Sequence, residues 1–114
     1  MTGRLNTSKH QELIQQSTKN LDRLVGKLVN FYIPSLYAGP YWKVETKKTS
    51  LYETYDKSLT SVILMPAEAA LLLAEVEYEE KWQRWFCLVL HPEHGLLVKI
   101  ISVEWAAAIR EVEP

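Results

Sequence analysis

The stretch WQRWFCLVLHPEHGLLVKIISV, residues 82–103, decides the fold. Two apolar runs, Trp82–Leu90 and Leu96–Val103, flank His91-Pro92-Glu93-His94-Gly95. Pro92 and Gly95 make the connector a turn, so the segment predicts a β-hairpin. Side chains alternate along a strand, so Trp82, Arg84, Phe86, Leu88 and Leu90 share one side of the first arm. Gln83, Trp85, Cys87 and Val89 share the other. Both sides become apolar toward the turn, which places these strands in the middle of a sheet or in a closed barrel. Beyond them, Ser102 caps a short helical stretch, Val103–Ile109, and Arg110–Val112 closes as a last strand.

Working back toward the N-terminus, Ala74, Val76 and Tyr78 alternate with Glu75, Glu77 and Glu79, a half-buried strand pattern. Pro66 followed by Ala and Leu residues predicts one or two helical turns, then a strand from about Leu73 to Glu79. A single helix through to Phe86 is the competing reading. Thr60–Met65 (TSVILM) is a short buried strand ended by Pro66. Lys47–Asp56 reads as a loop or weak edge strand, and Tyr41–Thr46 as a strand. Pro34–Pro40 is a loop with a turn at Ala38-Gly39-Pro40. Lys27–Ile33 (KLVNFYI) is a strand stopped by Pro34.

The first 25 residues read differently. Ile14, Ser17, Leu21, Leu24 and Leu28 recur at spacings of three and four, while Gln15, Gln16, Lys19, Asn20 and Arg23 point elsewhere. With a Ser8–Gln11 capping box and Gly26 as C-cap, this predicts a helix over 9–25 behind a flexible tail, 1–7. The expected fold is α+β and mainly β: an N-terminal amphipathic helix on a small antiparallel barrel of about five or six strands. The order of elements resembles an SH3-like barrel, in which a helical turn precedes the closing strand. No motif accompanies the resemblance, so it assigns no functional residue.

The chain of 114 residues fits a single domain, 8–114, with the barrel over 27–114. Hydrophobic residues make up 47%, enough to argue against disorder. Cys87 is the lone cysteine, so no intrachain disulfide or cysteine-based zinc site is expected, and a reducing, cytoplasmic setting fits. No signal-peptide core is visible, and no apolar run approaches the ~20 residues of a membrane span. Residues 1–60 carry nine Lys/Arg against five Asp/Glu, and residues 61–114 carry four against nine. The bland reading of this +4/−5 division is that the halves neutralise each other within one fold.

Catalytic and metal constellations are weak. His91 and His94 have His-x-x-His spacing, but Pro92 and Gly95 favour a turn over a zinc site. Cys87 and His91 stand four apart on a strand, roughly 13 Å, too far for an activated thiolate. The row Glu75, Glu77, Glu79 and Glu80 is expected to face water and guard an edge, with reception of a basic partner as its functional alternative. No phosphate-binding glycine loop is present. No cofactor and no enzymatic activity are expected.

Seven of the twelve aromatic residues fall between Phe31 and Tyr55, beside Lys43, Lys47 and Lys48. Phe31, on the better strand, is expected in the core. Tyr37, Tyr41 and Trp42 border the turn and are expected at the surface, where with Lys43, Lys47 and Lys48 they form the candidate binding site. Tyr and Trp bury large area with few rotors, so the expected function is a non-catalytic protein-interaction module, an adaptor or accessory subunit. The alternative is single-stranded nucleic-acid binding on the same surface, by base stacking beside lysines. A net charge of −1 counts against it. Self-association through the helix stripe or a sheet edge is a further expectation.

Overall fold

The hairpin forms where the sequence places it. In a computed structural model, which describes residues 2–31, 39–58, 60–65 and 68–112 and side chains from residue 8 onward, β5 (Arg84–His91) pairs antiparallel with β6 (Gly95–Ser102). The register runs from Arg84↔Ser102 to His91↔Gly95. Trp82 lies outside the strand, in the turn that leads into β5, and is 64% exposed.

Around this hairpin lie β1 (Leu28–Val29), β2 (Tyr41–Lys43), β3 (Ser61–Val62) and β4 (Ala70–Glu79). The six strands form one antiparallel sheet in the order β1-β4-β5-β6-β2-β3, curled into a half-barrel. β5 and β6 are central, as two apolar faces require. On the first face Trp85, Cys87, Val89, Leu97 and Ile101 enter the larger core. On the second face Phe86, Leu88 and Val98 form a smaller core with Leu51.

β4 resolves the ambiguous segment as a strand from Ala70, so the helical turn expected over 66–73 is absent from 70–73, and Pro66 lies outside the described residues. Leu71 and Leu72 pair with Leu90 and Val89, and the ladder then slips between Leu72 and Val76. That bulge breaks the alternation: Val76 and Tyr78 face the first core, while Ala74 is exposed. A bulge inserts unpaired residues without ending the strand, which is why the period of two fails there.

The short strands β1 and β2 are limited by their partners. β1 stops at Val29 because its partner begins at Ala70, and before that strand the Glu68 N–H meets the Met65 carbonyl at 2.9 Å. The strand expected over 27–33 is therefore two residues long, although Phe31 is fully buried as expected. β2 ends as its neighbour β6 reaches the turn, with Val44 N–H on the Leu96 carbonyl at 3.0 Å. An isolated bridge, Val29↔Glu111, stands where a last strand over 110–112 is expected.

Three helices complete the fold: α1 (Thr2–Leu24), α2 (Leu51–Asp56) and α3 (Val103–Ala108). α1 begins before the expected Lys9, so Ser8 lies within the helix instead of capping it, and the stretch expected as a tail is helical from Thr2. Gly26 adopts φ +82, the left-handed conformation of a helix C-cap. Leu21 and Leu24 are fully buried in the first core, so the helix stripe docks within the chain. Leu28, read into that stripe, belongs instead to β1 and is 50% exposed. Ser17 interrupts the stripe for a reason: it is buried, and its Oγ accepts the Trp85 indole N–H at 2.8 Å. Asn20, expected to point away, donates from Nδ2 to the Ala106 and Ile109 carbonyls at 2.9 and 2.8 Å. It thereby caps the end of α3, whose start is capped as expected by Ser102 Oγ.

α2 occupies a stretch expected as loop. Ser50 Oγ accepts the Glu53 N–H at 3.0 Å, a helix start written in the sequence as Ser-x-x-Glu. Glu77 Oε2 on β4 accepts the Leu51 N–H at 2.6 Å. The helix lays Tyr52 and Tyr55 against Phe86, both with ring centroids at 5.8 Å.

Candidate interaction surface

The expected aromatic-basic site does not hold together as one surface. Tyr37 lies outside the described residues. Tyr41, expected at the surface, is 4% exposed and packs edge-on against Phe31 in the first core. Alternation then turns Trp42 to the second face, where it is half-buried with its ring 5.3 Å from that of Tyr55. Lys43 is exposed and alternates back to the first face. Lys47 Nζ binds Glu75 Oε2 at 2.6 Å, and Lys48 remains exposed.

The acidic row is likewise engaged within the chain and does not simply face water. Glu75 meets Lys47, Glu77 caps α2, and Glu79 accepts from Arg84 Nε at 2.6 Å. Glu80 lies 3.7 Å from His10 Nε2. Of these contacts, Lys47–Glu75 and His10–Glu80 join the first half of the chain to the second.

The histidine pair is a turn staple. His91 is buried, and its Nδ1 accepts the Glu93 and His94 N–H groups at 3.1 and 3.2 Å. An accepting Nδ1 puts the proton on Nε2, which faces Glu68 Oε1 at 3.2 Å. The Met65 N–H, and then His91, hold the Glu68 carboxyl below its usual range. Among the described residues no cluster of three His, Cys, Asp or Glu side chains is placed to hold a metal ion.

Lys99 is buried at the centre of the first face, beside Tyr41 on β2 and Cys87 on β5. Its Nζ lies 5.0 Å from the Tyr41 ring centroid, 5.9 Å from that of Trp105 and 3.4 Å from the Pro40 carbonyl oxygen. Gly39, at φ +77, leaves room for the ammonium: a Cβ there would sit 3.4 Å from Nζ. Burial lowers the Lys99 pKa to about 8 and pushes the Cys87 thiol up to about 12. Both groups are enclosed within the first core.

The surface the sequence reading misses lies on the second face. Cross-strand pairs run Leu28↔Leu71, Leu71↔Leu90 and Leu90↔Leu96, so four leucines form one row across β1, β4, β5 and β6. Val44 extends the row beside Leu96. α2 covers the Phe86 end of this face and leaves the leucine end open: Leu28 is 50%, Leu90 41% and Leu96 36% exposed. Past Val44, between residues 45–48 and the end of α2, a cleft of about 230 Å3 is lined by Glu45, Thr46, Lys48, Thr54, Lys57 and Ser58. Hairpin symmetry makes the Leu90–Leu96 neighbourhood legible in the sequence. Leu28 and Leu71 join only through tertiary pairing.

No protein-family model matches the chain, and neither a curated protein nor a solved structure does.

Proposed function

We propose that the chain is a non-catalytic protein-interaction module that binds its partner across the open half of the second sheet face. The exposed leucine row carries this reading. Four leucines in register on four neighbouring strands form a continuous apolar stripe, not scattered exposed side chains. Covering on the order of 200 Å2 of leucine surface is worth roughly 5 kcal/mol at about 25 cal/mol per Å2. Trp42 and Lys48 border the stripe and retain the part given to the aromatic-basic surface, as anchor and as orienting charge. Tyr41 leaves that set because it is core.

Element order supports an SH3-like small barrel, with α3 following the last long strand. No described helix is long and apolar enough to cross a membrane, and the single cysteine suits a cytoplasmic adaptor or accessory subunit.

Co-purification from native cells tests the proposal. Tagged wild-type chain and Trp82→Ala, altered in the turn before β5, should retain the same partner, whereas Leu90→Asp should lose it. Equal recovery by all three would overturn it. Dependence on nucleic acid instead would appear as loss of the complex after nuclease treatment or at high salt.

A further inference from the structure

We infer that the leucine row seats a single amphipathic helix of the partner protein, with the helix's acidic C-terminal end over the Lys48–Lys57 cleft. This rests on the protein-binding reading above and names the occupant.

The row offers little apolar area. Leu28, Leu90 and Leu96 are 50%, 41% and 36% exposed. The leucine surface they offer, on the order of 200 Å2, is about a quarter of the ~800 Å2 each partner buries in a standard interface. A second copy laid face to face on this row falls short of what a stable dimer needs, whereas one short segment fits it.

The edges argue against an added strand. β1 is two residues long, and its outer side is taken by the Val29↔Glu111 bridge and by Val112 N–H on the Leu28 carbonyl at 2.8 Å. β3 is also two residues long. Neither presents the run of unpaired backbone that strand addition uses.

The spacing suits a helix. Neighbouring strands lie about 4.8 Å apart, close to the 5.4 Å pitch of an α-helix. A helix laid across the row sets one turn over each strand, with apolar anchors at i, i+3 or i+4, and i+7. The chain solves the other half of this face in the same way, since α2 rests Tyr52 and Tyr55 on Phe86.

Charge fixes the direction. Ser58 Oγ on the Lys43 carbonyl sets the cleft at the β2 end of the row, where Lys48 and Lys57 outnumber Glu45 and none of the three has an ion-pair partner among the described residues. At the β1 end Lys27 is already paired with Glu111 at 3.6 Å. The end with this net positive cleft attracts carboxylates and the negative end of a helix dipole.

A photo-crosslinking residue placed at 90, and separately at 96, in the full chain tests this in native cells. The expected adduct maps to one amphipathic segment of a partner, with Asp or Glu in its last turn nearest Lys48. A synthetic leucine–glutamate amphipathic helix should bind the wild-type chain, lose at least tenfold in affinity on Leu96→Asp, and lose severalfold on Lys48→Glu. Leu96→Gln, the milder change, should be weakened while its melting transition stays close to wild type. Adducts in an extended segment of a partner would overturn the helix and leave the protein-binding reading standing. Adducts only to a second copy of this chain, only to lipid or to nothing would overturn both.

Discussion

Lys47 Nζ sits 2.6 Å from Glu75 Oε2, which ties the basic loop after β2 to the bulge of β4. The side chains are 32% and 53% exposed, so the pair works in solvent. Removing either partner should cost no more than about 1 kcal/mol, with a coupling that fades as salt rises. A double-mutant cycle with Lys47→Ala and Glu75→Ala, by urea unfolding at low and high salt, measures it. A salt-independent coupling of several kcal/mol would contradict this geometry.

Ser17 should matter far more than its size suggests. It is the buried acceptor for the Trp85 indole, 68 positions away. Ser17→Ala leaves that N–H unsatisfied and should destabilise the chain by about 1–3 kcal/mol. Chemical denaturation monitored by tryptophan fluorescence gives the number. A loss within a few tenths of a kcal/mol would mean that water replaces the hydroxyl.

Much of this fold was legible in the sequence because local chemistry and tertiary demand agree. Pro92 and Gly95 mark the hairpin turn, Ser102 starts α3, and alternation along β5 divides its side chains between two cores. What escaped depends on contacts far along the chain. The bulge after Leu72 disguises β4, the partners of Ser17 and Asn20 lie elsewhere in sequence, and Leu28 meets Leu71 only in the folded sheet. Of the candidate site, Trp42 packs on Tyr55 and the Lys48 N–H meets Thr54 Oγ1, both on α2, while Tyr41 shows that proximity to a turn does not imply exposure. α2 is a different case, since Ser50 and Glu53 signalled it locally.

That signal can be tested. Ser50→Ala removes the cap of a six-residue helix and should cost about 0.5–2 kcal/mol. Hydrogen exchange should accelerate over 51–56 more than in β5. Uniform acceleration along the chain would show that α2 unfolds only with the whole domain.

Lys99 predicts a pH dependence of definite sign. Its folded pKa, lowered by burial to about 8, lies below its ordinary 10.5. Across that window the unfolded chain binds more protons than the folded one, so this group makes stability rise with pH. Below about pH 8 both states hold the proton, and the cost of burying the charge is carried in full. Cys87, raised by burial from 9.0 to about 12, acts in the opposite sense across its own window. Lys99→Met isolates the lysine. The unfolding free energy of Lys99→Met minus that of wild type should fall between pH 7.5 and 10, by up to about 1.4 kcal/mol per pH unit. A constant difference would mean that Lys99 titrates as a solvated lysine.

The leucine row is tested most directly by the affinity of the co-purified partner for wild-type, Leu90→Asp and Trp82→Ala chains. A carboxylate introduced into an apolar contact should raise Kd at least tenfold, about 1.4 kcal/mol or more, while Trp82→Ala leaves it within twofold. Equal Kd values for wild type and Leu90→Asp, with Leu90→Asp still folded, would contradict binding on this face.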